Sequence, residues 1–121
     1  MKRIIILLLA MILTGCTQSL DIQLEPEVSL FLSSDSGQPI RLMPDDKAYK
    51  DLSEWLQKNR SNWYVTTGRY RGGVYIQSGE HGIQVTDIQV ILYATEGERP
   101  SARYIQTIKK SELRSIKNYG K

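Results

Sequence analysis

Apolar and polar residues follow three different rhythms along this chain. Every side chain in residues 4–13 is apolar, ten in a row directly after Met1-Lys2-Arg3. From Val28 the apolar residues alternate instead. Val28, Leu30 and Leu32 share one parity, Ser33-Ser34-Asp35-Ser36-Gly37 interrupts them, and Ile40 and Leu42 resume. Successive strand side chains point to opposite faces, so a period of two with a dense turn signal between predicts a β-hairpin.

The spacing then lengthens. Tyr49, Leu52, Trp55 and Leu56 fall at i, i+3, i+6 and i+7, which places them on one face of a helix over residues 46–59. Pro44-Asp45-Asp46 stands at its start, and either Asp offers an oxygen to the unpaired N–H groups of a first turn. Lys58 and Arg60 suit its negative C-terminal end. Asp46 with Lys50 and Glu54 with Lys58 are acid-before-base pairs four apart, each contributing about 0.3 kcal/mol.

Downstream the pattern predicts strands over 63–69, 74–77, 83–85, 88–94 and 103–108. A Gly72-Gly73 turn, a loop over 78–82 and a loop over 95–101 with Gly97 and Pro100 separate them. Ile83 and Val85 are odd whereas Ile88, Val90 and Leu92 are even, so a straight strand would send one set to solvent. Thr86-Asp87 must therefore be a tight turn or a bulge. A short helix over 111–117, capped by Ser111, closes the chain. The order β-β-α-β-β-β-β-β-α implies an α+β fold: a curved antiparallel β-sheet meander with one amphipathic helix packed on a face and a short C-terminal helix.

Charge changes the picture only once it is assigned to segments. The 121 residues carry 16 basic and 13 acidic side chains, net +3, which suggests an acidic partner. Lys2 and Arg3 precede the apolar run, and without them 14 bases face 13 acids, leaving +1. No broad electrostatic footprint for nucleic acid survives. With one Cys, no disulfide forms within the chain, and His81 is the single histidine, too little for a zinc site. No cofactor or metal is expected.

The first residues combine a basic head, an apolar run too short to span a bilayer of about 30 Å, and Leu13-Thr14-Gly15-Cys16. This segment resembles the signal and lipobox of bacterial lipoproteins: a large aliphatic, two small residues and an obligatory Cys. The resemblance implies cleavage between Gly15 and Cys16 and diacylglyceryl attachment to the Cys16 thiol. Two or three acyl chains, at about 0.8 kcal/mol per buried CH₂, anchor effectively permanently. It divides the chain into a signal peptide (1–15), a lipidated Cys with a tether (16–26) and one α+β domain (27–121). Thr17, where an Asp would retain the protein at the inner membrane, implies the outer membrane with the domain facing the periplasm. Ile40, Leu42, Asp46, Tyr49, Leu52, Trp55, Leu56, Asn59 and Trp63, followed by β strands, look similar to a group of small Gram-negative envelope lipoproteins. That pattern carries no activity and transfers no functional residue.

Three groups of residues are candidates for chemistry. Arg69-Tyr70-Arg71-Gly72-Gly73-Val74-Tyr75 interleaves cations with aromatics around a glycine turn. Arg69, Tyr70, Arg71 and Tyr75 are candidate binders of an anionic or sugar ligand, although solvated hairpin tips share this composition. Lys109, Lys110, Arg114, Lys117 and Lys121 against Glu112 give the last thirteen residues +4. Lys109, Lys110, Arg114 and Lys117 are candidate contacts to an anionic surface such as phospholipid or peptidoglycan, at up to about 1 kcal/mol per cation. Exposed termini often look the same. Ser78, Glu80 and His81 lie together without nucleophile-elbow context, so no catalytic residue is expected. The expected role is a non-enzymatic accessory protein, anchored in a bilayer through Cys16 and binding an envelope protein or peptidoglycan. The alternative is an inhibitor or immunity-type lipoprotein against a hydrolase or toxin; small periplasmic lysozyme inhibitors are comparable in size, but several carry disulfides this chain cannot form.

Overall fold

A computed structural model describes residues 19–32, 38–67, 70–96 and 99–120. The signal and the lipobox, with Gly15 and Cys16, lie outside the described residues, as does Arg69. The elements in chain order are β1 (Val28–Leu32), β2 (Ile40–Leu42), α1 (Lys47–Lys58), β3 (Tyr64–Val65), β4 (Val74–Ser78), β5 (His81–Val85), β6 (Gln89–Glu96), β7 (Arg99–Thr107) and α2 (Arg114–Lys117), with a 3₁₀ turn over Asn118–Gly120. The fold is α+β: one seven-stranded sheet, antiparallel at every described pairing, with two helices.

The strand order β2-β1-β4-β5-β6-β7-β3 is a meander only from β4 to β7. The first hairpin forms as its alternation predicts, pairing Val28 with Leu42 and Leu30 with Ile40, and it joins the sheet through β1 against β4. The chain then passes through α1 and arrives at the opposite edge, where β3 pairs with β7. A helix placed between consecutive strands carries the chain away from its last neighbour, so strand sequence and strand order diverge there.

Parity explains the centre of the sheet. Ile83 lies opposite Leu92 and Val85 opposite Val90, which brings the odd and even sets onto one face. The switch is a tight turn: the Thr86 N–H donates to the Gln89 carbonyl at 2.9 Å, and the Gln89 N–H to the Thr86 hydroxyl at 3.0 Å. Ile88 leaves the strand for the turn and is exposed. Between β6 and β7 the register slips, Leu92 facing Tyr104 but Tyr93 facing Ala102, so Arg103 is the extra residue of a bulge. Both strands run farther than the sequence suggests, reducing the expected 95–101 loop, because β7 tolerates Pro100 opposite Thr95. Its other neighbour, β3, pairs only at Tyr104 and Ile105 among the described residues.

Four local expectations are corrected. The 78–82 loop is a two-residue turn with Gly79 at φ +59°, so His81 and Gly82 belong to β5. Asp46 holds the N-cap position of α1, but its carboxylate accepts the Met43 N–H at 2.8 Å and caps no helical N–H. The second helix begins at Arg114 behind Leu113 in the left-handed region, with no cap from Ser111. Glu112 organises that turn instead, accepting the Lys109 N–H at 2.9 Å and the Trp55 indole N–H at 2.8 Å. Of the 63–69 strand only Tyr64–Val65 pairs among the described residues.

Apolar burial occurs on both faces of the sheet. Leu30, Ile76, Ile83, Val85 and Val90 share one cluster with Ala48, Leu52, Trp55 and Leu56 of α1, with Trp63 and with Ile116. Trp55 and Trp63 meet edge to face, ring centres 5.8 Å apart. On the opposite parity Ile91, Tyr93 and Ala102 gather Tyr70, Tyr75 and Ile105 into a smaller cluster. Residues 20–25, within the stretch expected as a tether, are held against the domain. The Leu20 N–H donates to the Arg60 carbonyl at 2.7 Å, the Glu25 N–H to the buried Ser78 hydroxyl at 2.8 Å, and the Tyr49 hydroxyl to the Glu25 carbonyl at 2.7 Å. Leu20, Ile22 and Leu24 pack against the main cluster.

Candidate functional site

At the end of the sheet where β5 turns into β6, a pocket of about 530 Å³ opens between three segments. It is lined by the 70–73 loop, by Val85 with the Thr86–Gln89 turn, and by Lys110 with Lys117. Two of the sequence candidates from separate parts of the chain, Arg71 and Lys110, therefore border the same cavity.

Buried polar side chains fix the segments that line it. Gln84 on β5 is 6% exposed and donates from Nε2 to the carbonyls of Tyr70 (3.0 Å) and Gly72 (2.9 Å), while its Oε1 accepts the Tyr93 hydroxyl at 2.5 Å. One amide thus pins the whole 70–72 loop. Gly73 completes the fit: at φ +72°, an added Cβ would lie 2.0 Å from the Val85 carbonyl oxygen, so only glycine lets the loop press this closely on β5. On the other side Lys117, 6% exposed, donates from Nζ to the carbonyls of Asp87 (2.9 Å), Lys109 (3.1 Å) and Lys110 (3.2 Å). Its ammonium ties the β5–β6 turn to the chain before α2.

The candidate residues are sorted by these contacts. Tyr70 and Tyr75 belong chiefly to the outer cluster; Tyr75 stacks at 5.7 Å from Tyr93 and 6.4 Å from Phe31. Burial pushes the Tyr75 and Tyr93 phenols above their ordinary value, so both stay neutral hydrogen-bonding groups. Tyr70 also borders the pocket, and its hydroxyl pairs with that of Thr66. Lys109, Lys110 and Arg114 are exposed, whereas the Lys117 ammonium is directed into the fold and is no surface contact. A buried lysine three residues after the exposed Arg114 reads, in sequence, like any basic tail. Gln84 carries no sequence signal either, since a Gln between Ile83 and Val85 looks like a solvated strand position.

The other candidates separate. Ser78 and His81 face each other across the Gly79-Glu80 turn, but the Ser78 hydroxyl accepts the Glu25 N–H and no hydrogen bond joins it to His81. His81 lines a different groove, of about 440 Å³, between residues 20–25 and the strands β5, β6 and β7, with Arg103, Tyr93 and Tyr104 among its walls. Among the described residues no three His, Cys, Asp or Glu side chains converge as metal ligands, and no helix is long and apolar enough to cross a membrane. Comparison with family models, with curated proteins and with solved structures finds no match to this chain.

Proposed function

We propose that this chain is an envelope lipoprotein, anchored in a bilayer through acylated Cys16, whose domain is a non-enzymatic accessory that binds another envelope component. The single observation that carries the anchor is the sequence Leu13-Thr14-Gly15-Cys16 behind ten apolar residues and a basic head. Thr17 favours the outer membrane with the domain on its periplasmic side. The binding role is supported by the fixed pocket at the β5–β6 end, whose walls are set before any ligand arrives and so require little ordering on binding. We read the fold that presents it as a curved sheet with α1 laid across one face, a reading supported by the shared burial of Leu52 and Leu56 with Ile76 and Ile83.

Labelling cells with a palmitate analogue tests the anchor. The wild-type chain is expected to take up label and fractionate with membranes, and Cys16→Ser to do neither. A chain that keeps Lys2, or that remains soluble with an unmodified thiol, overturns the proposal.

A further inference from the structure

We propose that β3, with Tyr64 and Val65, forms a second contact with the bilayer, so that the domain stands on its β3 edge at the level of the lipid headgroups. This rests on the acylation of Cys16 proposed above and adds to it which side of the domain meets the membrane.

The attachment of the anchor sets the side. The docked segment begins at Leu20, whose N–H donates to the Arg60 carbonyl at 2.7 Å, four residues before Tyr64 of β3. Gln106 on β7 fastens that stretch by donating to the Asn59 and Ser61 carbonyls at 3.2 and 3.1 Å. Tyr64 and Val65 then pair with Ile105 and Tyr104 of the same strand. Four residue steps from Leu20 back to Cys16 reach at most about 14 Å. The lipid attachment point is thus tied to the β7–β3 side of the sheet. The opposite edge, β2, is six strand spacings from β3, about 29 Å measured along the sheet at about 4.8 Å each.

The β3 edge exposes apolar side chains. Neither residue of β3 is buried, whereas β1, β2, β4 and β5 each bury at least one. Val65 is 68% exposed and Tyr64 51%. Edge strands are ordinarily blunted with charge, a bulge or a cover, and β3 carries an aromatic and a β-branched residue instead. Tyrosine is enriched at membrane–water interfaces, where its ring meets apolar material and its hydroxyl meets water. Successive strand side chains point to opposite faces, so with the sheet edge-on to the surface Tyr64 and Val65 flank the edge and both reach the headgroup layer. Depth is limited there. The outer backbone groups of an edge strand have no ladder partner and hydrocarbon supplies none, so the contact stays where water remains. A lipid surface fits this edge better than a protein does, because the anchor already holds the two close and the contact is intramolecular in effect.

The test places the natively acylated chain in nanodiscs of phosphatidylcholine with a trace of gadolinium-chelating lipid and reads the relaxation of its backbone amide resonances against discs carrying lanthanum. Zwitterionic lipid is enough, since the contact rests on apolar side chains. The Tyr64 and Val65 amides should relax about fivefold faster than those of Ile40 and Arg41 on β2, given the spacings between the two edges. Tyr64→Thr with Val65→Thr keeps the β preference of the strand while removing apolar area, and should lower that ratio about threefold. Tyr64→Phe with Val65→Leu should keep the ratio, and Met43→Ser, at an exposed side chain beside β2, should leave it unchanged. Equal relaxation at the two edges, or faster relaxation at β2, overturns the contact. A ratio indifferent to the double threonine variant, in a protein whose remaining spectrum is unchanged, also overturns it and leaves the edge to a protein partner. Mass spectrometry of the same preparation reports acylation of Cys16 separately: an acylated chain with equal relaxation fails the contact and keeps the anchor, and a chain without acyl groups fails both.

Discussion

Replacing Lys117 by methionine isolates what its buried ammonium contributes. Met matches the lysine stem in length and apolar character, so packing is nearly preserved and the loss falls on the interactions of the ammonium, among them three charge-assisted hydrogen bonds to the Asp87, Lys109 and Lys110 carbonyls. Bonds to a charged group contribute about 1.5–3 kcal/mol each when intact. The three acceptors belong to exposed residues, and water reaching them after the substitution recovers part of that sum. A net loss of about 3 kcal/mol follows, within the range for breaking a buried polar cluster. For a domain of roughly 100 residues this corresponds to about 12–24 °C in Tm. Urea titration of the full-length chain in neutral detergent, read by circular dichroism, measures it. Lys110→Met, at an exposed side chain, is the control and should stay within about 0.5 kcal/mol of wild type. If the two variants unfold at the same urea concentration, the three-carbonyl grip contributes nothing and the preorganised wall of the pocket loses its basis.

Other outcomes follow from single contacts. Gly73→Ala should cost well over 2 kcal/mol, since its Cβ would sit 2.0 Å from the Val85 carbonyl oxygen. Gly72→Ala, with φ +93° but open space around the site, should cost only about 1 kcal/mol of backbone strain; thermal unfolding compares the two. Trp55→Phe should destabilise more than Trp63→Phe in urea titration. The Trp55 indole donates to Glu112, whereas the fully buried Trp63 Nε1 has no partner among the described residues, and deleting an orphaned donor offsets part of the lost packing. The Lys109 N–H, followed by the Trp55 indole, holds the Glu112 carboxyl below its ordinary value of 4.5. A lowered folded pKa gives stability that is present above the unfolded value and lost as pH falls through the folded one. Glu112→Gln should therefore be less stable than wild type at pH 7, and the difference should vanish in acid well below pH 4.5. A gap that persists at pH 2 would show that the charge is not its cause.

Sequence patterning reaches the fold wherever burial sets the pattern. Leu52, Trp55 and Leu56 are core as their helical spacing predicts, and the parity clash between Val85 and Val90 places a turn or bulge at Thr86-Asp87, where the structure has a tight turn. It fails where a side chain acts through a distant backbone. Nothing local distinguishes Lys117 from Lys109 or Lys110, because the carbonyls that bury it come from the β5–β6 turn thirty residues away as well as from its own segment. Ser111 looks like a cap, yet Glu112 satisfies the turn by reaching Lys109 and Trp55, and a cap is then unnecessary. The candidate site shows the same division. Arg71 and Lys110 are visible as cations, but that both line one pocket is not, and the seat of the 70–72 loop on β5 depends on Gln84 holding the Tyr70 and Gly72 carbonyls.

The docking of residues 20–25 constrains how the domain meets a membrane under the proposed lipidation. A chain spans at most about 3.3–3.6 Å per residue, and Leu20, whose N–H is bound to the Arg60 carbonyl, lies four residue steps from Cys16. The first fixed point of the domain therefore lies within about 14 Å of the Cys16 backbone. A domain of roughly 100 residues has a radius of gyration near 13 Å, so such a foot is no longer than the body is thick. The protein then rides on the bilayer surface instead of sweeping a wide volume from a stalk. A ligand for the β5–β6 pocket must consequently be one that comes to the membrane surface or diffuses freely to it.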